Sequence, residues 1–158
     1  LYDMSATGTV FADGFDGTRS VHVGGEVQLI NIPQGGEARA VQPAVWVNPS
    51  DSSTWTFVGN GSGLSALKLG IDANNRPKLS MQWSKSGSAT SPIIANKVLY
   101  SAGSCASGTC VTARDPVLGN TLWTSDPIGG VHWQSPSLVD GAIYITDKQG
   151  KLWKFGLN

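Results

Sequence analysis

Charge is scarce in this chain. Asp, Glu, Lys and Arg make up 14% of the 158 residues, and 11 basic side chains balance 11 acidic ones to a formal net charge of zero. The basic residues are scattered singly, so nothing favours nucleic acid or an anionic membrane electrostatically. No apolar run approaches the roughly 18 residues that cross a bilayer, and no membrane span is expected. No segment carries a convincing amphipathic helical pattern; the nearest, Leu64 to Leu69, is short and reads as a strand. Only two Cys and two His are present. Two Cys need two further ligands for a metal, and neither His lies nearby in sequence, so no metal site is assigned. There is also no phosphate-binding Gly-rich loop and no nucleophile elbow, and no catalytic residue is identified.

What the chain does have is Gly, at 20 residues, together with six Trp and many Ser, Thr and Asn. That mixture suits short strands joined by tight turns. The strands recur as copies of one unit. One copy runs through Thr90–Ile94, Lys97–Tyr100, Cys110–Arg114 and Thr121–Trp123. Another runs through Gln42–Val45, Trp55–Val58, Leu64–Leu67 and Gln82–Trp83. A third runs through Gln134–Leu138, Ala142–Ile145 and Leu152–Phe155. Four short strands repeated with a period of about 20–50 residues predict an all-β fold, a β-propeller of four-stranded antiparallel blades. The units fall at 41–87, 88–130 and 131–158. Residues 1–40 read as an irregular segment with a partial blade and a long loop, including a strand over 26–32. This makes about three to three and a half blades, against the four to eight of a typical closed ring. The chain is therefore expected to be the C-terminal portion of a longer propeller, partnered by the remaining blades or by further copies of itself.

The most specific stretch is Ala113-Arg114-Asp115-Pro116-Val117-Leu118-Gly119-Asn120-Thr121-Leu122-Trp123. Asp115-Pro116 starts a turn, Gly119 supplies its unusual backbone angles, and Trp123 returns on the outer strand. With Ala113 as a small seat, that indole is expected to wedge between neighbouring blades. The stretch resembles the tryptophan-docking motif of the pyrroloquinoline-quinone-like, or quinoprotein-type, propeller repeat; Leu118 stands where that motif usually has Thr. Trp83, and with it Trp153, is expected to play the same structural role in its own unit. The resemblance implies two kinds of protein. Some members are quinone-dependent alcohol or sugar dehydrogenases that carry the quinone and Ca²⁺, and none of their cofactor residues maps onto this chain. Others lack the cofactor and act as scaffolds outside the bacterial cytoplasm. The expectation here is the second kind: a non-catalytic platform, secreted or periplasmic or at the cell surface, without a cofactor, contacting protein or an extracellular polymer. A dehydrogenase fragment and a self-assembling structural subunit are the alternatives.

Three smaller features complete the reading. Cys105 and Cys110 flank the turn between two predicted strands, where a disulfide would pin the hairpin and fit an oxidising compartment. His132, Trp133 and Gln134 enter a predicted innermost strand and form a candidate site for a small polar ligand. Asn60-Gly61-Ser62 fits the glycosylation sequon.

Overall fold

The computed structural model describes residues 28, 30–32, 35, 41–132 and 134–156. Among them every regular element is a β-strand, and the strands form three antiparallel sheets. The first is β1 (Ala44–Val47), β2 (Thr54–Asn60), β3 (Gly63–Ile71) and β4 (Pro77–Ser86), in that order. The second is β5 (Ile93–Ala95), β6 (Val98–Cys105), β7 (Gly108–Arg114) and β8 (Thr121–Thr124), again in chain order. The third has β9 (Ser137–Val139), β10 (Ala142–Thr146) and β11 (Leu152–Gly156), with β11 at its edge.

Two compact units are distinguished, one of residues 1–31 and 70–79, the other of 32–69 and 80–158. In the first, the tip between β3 and β4 is an Asx turn. The Asp72 carboxylate accepts the amides of Asn74 and Arg76 at 2.8 and 2.9 Å, and Asn75 takes φ 59°. Gln28 is not in a strand, nor are the described residues 30–32. Instead its side-chain amide imitates a strand edge, donating to the Leu79 carbonyl at 3.0 Å and accepting the Leu79 amide at 2.8 Å. The rest of the strand expected over 26–32 lies outside the described residues.

The second unit holds the core. Alternation does the sorting. In β2, Trp55 and Phe57 turn to one face with Leu64 and Ala66 of β3, and β6 places Leu99 against them. In the other direction Tyr100 and Ala102 of β6, with Val111 and Ala113 of β7, pack on Ile143 and Ile145 of β10. The second sheet is thus covered on both faces, and its buried strands read as nearly continuous apolar and small residues. The first strands of the three sheets, β1, β5 and β9, are successive neighbours. Between the first and second sheets the backbone of 88–90 threads a narrow gap. The Ala89 amide donates to the Asn60 carbonyl at 2.7 Å, and the Thr90 amide to Ala102 at 2.8 Å. Gly103 permits this approach: a Cβ there would stand 1.7 Å from the Ser88 carbonyl oxygen.

Candidate functional site

The seam between the first two sheets is built on one turn. After β7, the Asp115 carboxylate accepts the amides of Val117 and Leu118 at 2.8 and 2.7 Å, and the Gly119 amide returns to the Asp115 carbonyl at 2.9 Å. Gly119 holds φ +71°, which a side chain would resist. A Cβ at Gly119 would also lie 2.8 Å from Cδ2 of Trp83. The Trp83 indole N–H donates to the Pro116 carbonyl at 3.0 Å. So Asp115, Gly119 and Trp83 meet, and the indole seated on the Gly119 turn comes from the preceding sheet, whereas Ala113 packs in the core on the other face of the second sheet.

Trp123 lies in β8 opposite Ala113. Its ring meets Phe155 of β11 edge-on, with centroids 5.6 Å apart, and it remains 42% exposed. Trp153 bonds inside its own sheet, donating its indole N–H to the Asp147 carboxylate at 2.7 Å and stacking on Phe155. Asp147 lies in the turn between β10 and β11 and is buried. Burial raises its pKa, but the Trp153 indole and the amides of Lys151, Gln149 and Gly129 outweigh that and hold it below the ordinary carboxylate value. A Lys148 amide bond to the Gly130 carbonyl at 2.8 Å joins the same turn to the connector after β8. The available signal was an acid in a Gly turn with Trp six residues later.

Two concavities flank these contacts. A polar cleft between the first and second sheets is lined by Lys85, Ser86, Ser88, Ser104 and Arg114. Arg114 donates to Thr121 Oγ1 at 2.7 Å, and burial depresses its pKa. An apolar groove of about 380 Å³ lies between the second and third sheets, walled by Val98, Tyr100, Leu122, Trp123, Ile143 and Phe155.

Of the predicted polar ligand site, His132 is exposed and its backbone amide donates to the Gln134 side chain. Trp133 lies outside the described residues. Cys105 and Cys110 are joined at an S–S distance of 2.09 Å, an arrangement compatible with an oxidising environment. Asn60 is 2% exposed, and its amide is committed to the Gly35 carbonyl and to the Ser62 and Gly63 amides. The sequon is therefore closed to a glycosyl transferase in the folded chain. Among the described residues no group of three or more His, Cys, Asp or Glu is arranged to hold a metal ion. Nor is any helix there long and apolar enough to cross a membrane. No protein-family model matches the chain, and no curated protein matches it.

Proposed function

We propose that this chain is a sector of a quinoprotein-like β-propeller and acts as a rigid, non-catalytic platform outside the cytoplasm. The observation that carries the reading is the Trp83 indole seated on the Asp115–Gly119 turn of the following sheet. Three further features support it. Each sheet is a meander in chain order, the first strands of successive sheets are neighbours, and the cores run between faces of consecutive sheets. Strands that converge at one end while their sheets stack face to face are what blades around an axis require. The hairpin disulfide supports an extracytoplasmic setting. On this reading the loops and exposed strand edges make the contacts with protein or polymer, and the indoles serve rigidity.

The test is a spectrophotometric titration of the full chain with pyrroloquinoline quinone and Ca²⁺, beside a dye-linked alcohol and sugar oxidation assay. A platform takes up no stoichiometric quinone and reduces no dye. Saturable one-to-one uptake with dye reduction would replace this reading with the dehydrogenase one.

A further inference from the structure

Two hydroxyls are buried at the seam between the first two sheets with nothing in the chain to bond. Alternation sends Ser101 of β6 and Thr112 of β7 toward the first sheet, on the face opposite Tyr100 and Ala113, and the register sets them directly across from each other. Ser101 is 6% exposed and Thr112 9%. Neither side chain has a hydrogen-bond partner among the described residues, although polar groups buried this far are ordinarily bonded. Both line the polar cleft, a space of about 20 Å³, and so do two cations. Arg114 spends one nitrogen, Nη1, on Thr121 Oγ1 at 2.7 Å and on the Gly119 carbonyl at 3.4 Å. Its Nε and Nη2 protons have no acceptor among the described residues. Lys85 of β4 reaches the same turn from the first sheet, since a Cβ at Gly119 would lie 3.1 Å from its Cε. Two like charges therefore converge on Gly119 from opposite sheets, and neither has an ion-pair partner among the described residues. Asp115, the next residue after Arg114, turns its Oδ1 to the Val117 and Leu118 amides. No acidic side chain lines the cleft.

We propose that this cleft is a binding site for a chloride ion, held by the Ser101 and Thr112 hydroxyls and the Arg114 guanidinium, with the Lys85 ammonium contributing from the first sheet. Size selects the ion. The cleft admits one particle of roughly the dimensions of a water molecule, so phosphate, sulfate and carboxylates do not fit inside. Charge separates chloride from water. A water would satisfy the hydroxyls and leave two cations facing each other, whereas an anion offsets their repulsion and the burial that already disfavours the charged Arg114. The ion ties β4 to β6 and β7, so chloride stabilises the seam by mass action. The site goes beyond the platform reading and is independent of it. Quinone uptake would leave the cleft unchanged, and failure of the chloride experiment would leave the indole seat on Gly119 unchanged.

The probe is chloride itself. The line width of its NMR signal is followed as chloride replaces gluconate at constant ionic strength in the presence of the full chain. The expected result is a saturable excess width that bromide competes away and sulfate does not, with a urea midpoint that rises as chloride replaces gluconate. Thr112→Val keeps the shape and removes the hydroxyl, and Arg114→Gln removes the charge. Each should weaken chloride at least about tenfold, the weight of one hydrogen bond to a charged group. Lys85→Gln should weaken it several-fold, and this half-buried position carries the test if either of the other variants is unfolded by circular dichroism. Crystals grown in bromide should show an anomalous peak between Ser101 and Thr112. An excess width that never saturates, or that sulfate removes equally well, would overturn the proposal. So would an excess width unchanged in Thr112→Val and Lys85→Gln, which marks an adventitious ion only, or a water at the bromide position.

Discussion

The Trp83 indole N–H donates to the Pro116 carbonyl at 3.0 Å, across 33 residues of sequence and from one sheet to the next. One hydrogen bond of this kind contributes about 0.5–1.5 kcal/mol net, but it also fixes the ring where Gly119 must pass beneath it. Position and packing are thereby coupled. Trp83→Phe is expected to cost about 1–2 kcal/mol, the lost bond plus an unsatisfied carbonyl. Trp83→Ala removes a partly buried ring packed against the Trp55–Phe57 core and should cost about 3 kcal/mol, the low end for large aromatics. Trp123→Ala, at a half-exposed site, should cost clearly less than Trp83→Ala. Urea midpoints at constant slope measure all three.

Gly119→Ala meets two obstacles, a positive φ and the Trp83 ring. The expected loss is about 2–4 kcal/mol, from left-handed strain of about 1 kcal/mol and overpacking of about 1–3 kcal/mol. Gly156→Ala is the control, since a Cβ there meets nothing within 4 Å. Its stability should stay within about 0.5 kcal/mol of the parent.

Asp51 shows how local donors act on an exposed acid. The Ser53 hydroxyl and amide, with a smaller contribution from Lys68 at 3.2 Å, lower its pKa from 3.8 to about 2. A depressed folded pKa means that the carboxylate favours the folded state above 3.8, and that this contribution fades as pH falls through about 2. Asp51→Asn should therefore differ from the parent at pH 5 and converge with it between about pH 4 and 2. Exposure keeps the effect small and sensitive to salt. Asp147→Asn should destabilise more at neutral pH, because its new amide N–H₂ faces the Trp153 and Gly129 donors. Carboxyl carbon shifts followed against pH measure both acids.

The disulfide closes a six-residue hairpin loop, from Cys105 to Cys110. Reduction and alkylation should lower stability by about 2 kcal/mol, following the loop-closure relation. Intact mass should gain two alkyl groups only after reduction.

The strands were legible in sequence because alternation and turn chemistry are local. Trp55 and Phe57 two apart, or Asn48–Ser53 between two apolar runs, mark strand and turn without knowledge of partners. The indoles were legible only as a class. Trp123 shares its sequence motif with Gly119, yet Trp83, 36 residues earlier than Gly119, sits on that turn. Spacing along the chain fixes which residues belong to one hairpin. Contact between sheets is set by how sheets stack, and no local pattern encodes it. Asp147 was missed for a related reason. Its burial depends on the Gly129–Gly130 connector crossing above it, while the acid itself looks like any turn residue. Gln28 replaces an expected strand with a side-chain amide that copies one pair of ladder bonds, which alternation alone does not distinguish.

The most direct test of the seam is a nuclear Overhauser experiment on the labelled chain. Cross-peaks between the Trp83 ring protons and the Gly119 α-protons are predicted, with a Trp83 indole N–H that exchanges slowly with solvent. A rapidly exchanging indole with no cross-peak to residues 115–119 would contradict the account.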